Sequence, residues 1–259
     1  MLVLVSACAL LGMLIGSFLN VVVHRVPRGE SVVRPPSACP ACRSLIRPRD
    51  KVPVAGWLLL KGRCRDCNEP ISARYPAVEA ATAVLFAVMA LRFGPDPVLP
   101  AYLYLAAVGL ALALIDLDVR KLPDALTLPS YVVVATLLAL GAALGSDSGH
   151  LVRALLGGVA MYAFYFALCF AYPAGMGFGD VKLAGVLGMA TGWLGWGAWA
   201  VGLFAGFVFG GVFGVALIAL GRAGRKSKVP YGPFMLLGTL LAVLAGQQLA
   251  GAYLALTLG

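Results

Sequence analysis

The chain has 259 residues, of which 61% are hydrophobic and only 12% charged, with a mean hydropathy of +0.93. That is too apolar for a soluble domain hiding its surface in one core, and it indicates an all-α polytopic membrane protein. The formal net charge is +9, yet the basic residues are placed as topology markers and not as a nucleic-acid footprint.

Residues 2–23 form the first expected span. Secretory signals also begin with an apolar stretch, but this one has no basic region before it and runs directly into GSFLNVVVHRVP, so it is expected to be retained. Residues 24–76 follow as a long polar loop carrying eleven of the twenty Lys and Arg residues, which places the loop in the cytoplasm. Further spans are expected near 77–93, 99–117, 123–144, 151–172, 181–199, 200–221 and 231–256, giving about eight transmembrane helices. With the N-terminus outside, eighteen basic residues fall on the cytoplasmic side, including Arg120, Lys121, Lys182, Arg222, Arg225, Lys226 and Lys228. Only Arg92 and Arg153 fall outside. The expected organisation is a first helix (1–23), a cysteine-loop domain (24–76) and a transmembrane core (77–259), in a bacterial inner membrane.

Within the loop, Cys39, Cys42, Cys64 and Cys67 form two C-x2-C pairs separated by twenty-one residues, the spacing of a zinc ribbon. Four thiolates close a tetrahedral shell, so the zinc would be structural and would leave no position for a reacting water. Two disulfides or four free thiols are the alternative, weakened by the reducing cytoplasm. Cys8 and Cys169 lie alone within spans and are expected to act as small apolar residues. Arg43, Arg47, Arg49, Lys51, Arg63 and Arg65 can meet anionic lipid head groups or an acidic partner; without an aromatic platform, nucleic acid is not expected.

Acids beside long apolar helices are functional candidates by default. Asp116 ends one such helix in LALALIDLDVRKLPD, and Asp180 opens another in GMGFGDVKLAG. Asp118 is about 200 degrees around the helix from Asp116, so it cannot face the same partner, and an interfacial ion pair is its simpler role. Asp124 follows Pro123 at a helix start, where an acid is favoured by the macrodipole. Asp180 can be a helix N-cap, but capping does not account for Gly175, Gly177 and Gly179 at alternate positions beside it. On the topology above, Asp116 and Asp180 lie at one cytoplasmic depth and can meet. Two carboxylates sharing one proton are the arrangement of an aspartic protease. Asp180, at the positive end of a helix, is the expected base, and the drier Asp116 the expected proton donor. Glu79 is a helix-start acid or a group for a substrate amine, while His24 and His150 have no partner at ligand spacing.

Gly202, Gly206, Gly210 and Gly214 recur every four residues along the seventh span, which suits close helix packing or a groove for a substrate helix. Trp193, Trp196 and Trp199 suit an aromatic belt at the outer interface. Proton-coupled transport would also use intramembrane acids but should show repeated halves. A zinc-ribbon adaptor would leave both aspartates unexplained.

Taken together and in order, GSFLNVVVHRVP, the two C-x2-C pairs, RYPAVE, IDLDVRKLPD, GFGDVK and PYGPF resemble the type IV prepilin peptidases over nearly the whole chain. The resemblance implies a GxGD-type membrane aspartyl protease that removes the basic leader of prepilins and type II secretion pseudopilins at the cytoplasmic face. Asp116 and Asp180 match that family's two catalytic positions. Members with a four-cysteine loop are similar to bifunctional enzymes that then N-methylate the new N-terminal residue with S-adenosylmethionine. No nucleotide-type glycine loop is present to bind that donor, and Trp57 to Arg63 is the candidate region. Oligomeric state is not specified by any of these features.

Overall fold

The computed structural model describes residues 1–145, 148–173, 175–222 and 229–258. Its order is α1 (Leu2–Arg25), a short α2 (Ala55–Leu59), α3 (Arg74–Phe93), α4 (Leu99–Val119) and α5 (Asp124–Gly145). Then come α6 (Ser148–Ala171), α7 (Phe178–Leu194), α8 (Trp196–Ala219) and α9 (Gly232–Leu258). Among the described residues no strand forms, and the only β pairing is two isolated bridges in the cysteine loop. Seven of these helices are long and apolar enough to cross a membrane: α1, α3, α4, α5, α6, α8 and α9. Helix α7 has 17 residues, roughly 25 Å of rise, which is at the short end of the span range.

The chain divides into two compact units, Met1–Pro95 with Leu103–Ala111, and Asp96–Tyr102 with Leu112–Gly259. In the first, α1 lies against α3 through small residues. A Cβ on Gly12 would sit 2.8 Å from the Ala83 backbone, and one on Gly16 2.7 Å from Glu79 Cα, so only glycine permits the approach. The Asn20 amide donates to the Tyr75 carbonyl at 3.2 Å and ties α1 to the start of α3.

The second unit is built around α7. Thirteen of its 17 residues are buried, from Asp180 to Trp193, and α5, α6, α8 and α9 all pack on it. Neighbouring side chains also bind its backbone. Tyr131 donates to the Lys182 carbonyl at 2.6 Å and Tyr102 to Ala190 at 2.8 Å. Arg153 donates to Gly192 and Trp193, each at 2.8 Å, and Gln247 to Leu194 at 2.6 Å. The last three bonds satisfy terminal carbonyls that a helix cannot pair by itself.

Some expected boundaries move. The stretches 181–199 and 200–221 were each expected as one span, whereas α7 ends at Leu194 and α8 starts at Trp196. Gly195 makes the reversal alone, at φ 135°, a conformation that disfavours any side chain. Trp193 therefore belongs to the core, 7% exposed and edge-on to His150, and not to an interfacial belt. Trp199 is also tied inward, donating to the Gly157 carbonyl at 2.9 Å, while Trp196 is exposed. The glycine series of α8 divides as well. Gly202 and Gly206 pack on α9, where a Cβ on Gly238 would meet Gly206 N at 2.6 Å, whereas Gly214 faces open space. Of the basic cluster after α8, Arg225, Lys226 and Lys228 lie outside the described residues.

Candidate functional site

Helix α4 delivers Asp116 near its C-terminus, where Leu112 and Ile115 are almost fully buried and Asp116 is 5% exposed. Its Oδ2 accepts the backbone N–H of Gly232, the first residue of α9, at 3.0 Å. A Cβ on Gly232 would lie 2.9 Å from that same oxygen, which is why the PYGPF turn needs glycine there.

Asp180 is the third residue of α7 and 9% exposed. The N-cap position, the alternative role for Asp180, belongs to Gly177, whose N–H donates to Asp180 Oδ2 at 3.3 Å while the Asp180 N–H donates to the Gly177 carbonyl at 3.0 Å. Both carboxylates thus face a helix N-terminus, Asp180 that of α7 and Asp116 that of α9. Each such end carries partial positive charge, and an acid there gains about 0.3–1 kcal/mol. The helix dipole therefore does not single out Asp180 as the ionised member, contrary to the sequence expectation.

The two acids come together. Asp180 lies close enough to Asp116 to feel its charge. Leu122, from the α4–α5 turn, lies against both glycine positions: a Cβ on Gly179 would touch its Cβ at 3.1 Å, and one on Gly232 its Cδ2 at 3.4 Å. Among the described residues, Oδ1 of each carboxylate makes no hydrogen bond, which leaves one oxygen on each for water or substrate.

The other acids have separate work. Asp118 is exposed. Asp124, in the first turn of α5, forms a two-oxygen pair with the Lys182 ammonium at 2.7 and 2.8 Å, and Lys182 also sits over the Phe178 ring. Glu79 is 8% exposed and accepts the Val54 N–H at 2.6 Å, so it holds the cysteine loop's backbone where Val54 adopts φ 59°. Neither contact was visible in the sequence, because a charge at a helix start does not reveal a partner 25 or 58 residues away.

The four loop cysteines converge. Their Sγ atoms all lie within 4.8 Å of one another, with Cys39 to Cys67 at 3.8 Å and Cys42 to Cys64 at 3.9 Å. A tetrahedron with Zn–S bonds of about 2.3 Å has sulfur separations of about 3.8 Å, so the donor set fits zinc. The two knuckles repeat one turn. The Arg43 N–H donates to Cys39 O and the Asn68 N–H to Cys64 O, with φ of 61° and 60°, and the bridges Ala38–Leu45 and Arg63–Pro70 close each turn. The Ser44 hydroxyl and amide draw the Cys42 thiol down to about 6 and the amides of Cys67 and Asp66 lower Cys64, whereas Cys67, despite the Glu69 amide, is pushed up to about 12 by burial and its neighbouring thiols. All six cysteines are unbridged. Two of the basic residues expected to face lipid are paired inside the loop, Arg47 with Asp66 and Arg65 with Asp50. In the Trp57–Arg63 segment, Trp57 donates its indole N–H to the Ile71 carbonyl and its ring covers Gly62.

Residues 10–93 match the Bacterial Peptidase A24 N-terminal domain, and residues 103–215 match the Type IV leader peptidase family. The chain is similar to proteins named prepilin leader peptidase/N-methyltransferase. It is 36% identical to one from Aeromonas hydrophila, covering 96% of this chain and 93% of the relative. It is 34% identical to one from Pseudomonas aeruginosa, covering 95% and 91%. A relative from Neisseria gonorrhoeae is 37% identical over 84% of each chain. No solved structure matches significantly. Sequence order, paired carboxylates and relatives of matching length lead to one conclusion: the chain belongs to the type IV leader peptidase family.

Proposed function

We propose that this chain is a membrane aspartyl endopeptidase that removes the leader of type IV prepilins and type II pseudopilins and then N-methylates the new N-terminal residue. The observation that carries the cleavage reaction is the convergence of Asp116 and Asp180, each held through Oδ2 by a glycine N–H and each presenting a free Oδ1. Two carboxylates in one small buried site do not both ionise readily, so the pair holds one proton between them. The ionised member takes a proton from water, whose oxygen adds to the scissile carbonyl carbon. The protonated member supplies its proton to the carbonyl oxygen. Because the two acids are alike in burial and in helix-end setting, the proton belongs to the pair and not to a named residue.

The cut is placed at the cytoplasmic face of the bacterial inner membrane, with α7 as an eighth crossing. The ends of α4 and the starts of α5, α7 and α9 share one level through Asp116–Gly232 and Asp124–Lys182. The far end of α7 meets Arg153 and Gln247. That geometry supports α7 traversing the bundle, which puts Arg120, Lys121, Lys182 and Arg222 on one side with the acids. Zinc held by Cys39, Cys42, Cys64 and Cys67 supplies a closed structural centre. S-adenosylmethionine supplies the methyl group, as the relatives' names imply. Prepilin and lipid are the partners.

Incubating the purified protein with a prepilin and weighing the product by mass spectrometry tests both activities, since the leader and the methyl group change the mass independently. An uncut prepilin with the natural chain would overturn the proposal.

A further inference from the structure

Beside the carboxylates lies a second polar pair that the cleavage reaction has not used. Tyr231 directly precedes Gly232, whose N–H holds Asp116, and its hydroxyl is 3.1 Å from that of Tyr165 on α6. Both phenols are within electrostatic reach of the Asp180 carboxylate. The pair sits in an aromatic cage: Tyr165 stacks on Phe207 at 5.5 Å, and the Tyr231 ring lies 5.5 Å from the same Phe207. The Tyr231 ring also fills the space beside two α8 glycines, where a Cβ on Gly206 would touch its hydroxyl at 3.4 Å and one on Gly210 its Cε2 at 3.4 Å.

Two hydroxyls carry two protons, and one hydrogen bond uses one of them. Among the described residues neither hydroxyl makes another bond, so one O–H remains to donate. An idle phenol in apolar surroundings is costly unless some partner arrives. Tyr165 is 1% exposed, whereas Tyr231 is only partly buried, so Tyr231 is the member that a substrate can touch. A neutral donor one residue from the N–H that holds Asp116 suits the negative charge that develops during carbonyl addition.

Resting on the endopeptidase reading above, we propose that the Tyr231 hydroxyl is a third catalytic group, donating a hydrogen bond to the scissile carbonyl oxygen, with Tyr165 as its positioning residue. As the water oxygen bonds the carbonyl carbon, the π electron pair moves to the carbonyl oxygen, which takes the proton held by the aspartate pair. Tyr231 stabilises that oxygen during the transfer and keeps its own proton. A rigid aromatic cage suits this task, because the donor needs no reorganisation when charge appears.

The test uses the full-length protein in detergent with a purified prepilin. Tyr231→Phe keeps the ring and removes the hydroxyl. The expected result is a fall in kcat of about a hundredfold with KM and thermal midpoint near those of the natural chain. Tyr165→Phe should lower kcat by about tenfold, since it orients the donor without touching substrate. A Tyr231→Phe variant within threefold of the natural kcat, while Asp116→Asn and Asp180→Asn are inactive, overturns the proposal and leaves the endopeptidase reading intact. Cleavage by both aspartate variants overturns the endopeptidase reading instead. If Tyr231→Phe does not fold, difluorotyrosine at position 231 decides. Its more acidic phenol should move the alkaline limb of kcat toward neutral pH, and an unmoved limb overturns the proposal.

Discussion

The carboxylate site and the cysteine loop bring distant residues together by opposite means. Asp116 and Asp180 are placed by packed helices. Thirteen of the 17 residues of α7 are buried, and four neighbouring side chains, Tyr102, Tyr131, Arg153 and Gln247, bind its carbonyls. Between residues 29 and 73, by contrast, only Cys39, Gly56 and Gly62 are buried. A segment with so little core is held by its turns, by Glu79 and by two ion pairs, and its four clustered thiols suit a metal. The difference teaches that one region is specified by packed atoms, and the other by turns, ion pairs and a thiol cluster suited to an ion.

That contrast predicts separable failures. The largest effect is expected from Asp116→Asn or Asp180→Asn. Each should lower prepilin cleavage by more than about a thousandfold, because in the proposed dyad the two acids act as a unit, while metal content stays that of the natural chain. A leader-release assay paired with metal analysis checks both halves; loss of zinc with the activity would break the contrast.

Removing the metal should do the reverse. A strong chelator, or Cys64→Ser with Cys67→Ser, should open residues 24–76 to protease while the helical circular dichroism keeps its amplitude. Limited proteolysis followed by mass spectrometry reports where the chain is cut, and cuts spread through 112–258 would show that the helices need the metal too.

A finer probe is Gly232→Ala. Its Cβ would press on Asp116 Oδ2 at 2.9 Å, so the carboxylate or the turn must shift. Cleavage should fall about tenfold without loss of fold, on the order of one hydrogen bond misplaced. The smallest effect should come from Gln247→Ala, which removes one cap from the end of α7. A loss of about 1 kcal/mol is expected in chemical or thermal denaturation, with kcat nearly unchanged.

Much of this architecture was legible in local sequence. Long apolar runs marked the membrane helices, the two C-x2-C pairs marked the thiolate cluster, and the acids of IDLDVRKLPD and GFGD were singled out by their apolar surroundings. What escaped was each contact made across the chain. The PYGPF string was recognisable, but nothing in it said that the Gly232 N–H would bind Asp116, 116 residues earlier. Glu79 looked like a helix-start acid because its partner is a backbone amide, and backbone amides leave no mark on composition. The end of α7 was misplaced because hydropathy continues unbroken through Gly195. Only the backbone angle at that residue separates the two helices. The equal helix-end settings of the two acids were hidden for the same reason, since one of those ends belongs to α9.

Helix α7 acts as a ruler. Its first turn carries Asp180, its last carbonyls are fixed by Arg153 and Gln247, and a single glycine turns the chain into α8. Inserting one residue anywhere between would swing the carboxylate about 100 degrees around the axis and lift it about 1.5 Å. The number of residues separating GFGD from Gly195 is therefore as much a part of the site as the acids, whereas surface loops can change length freely.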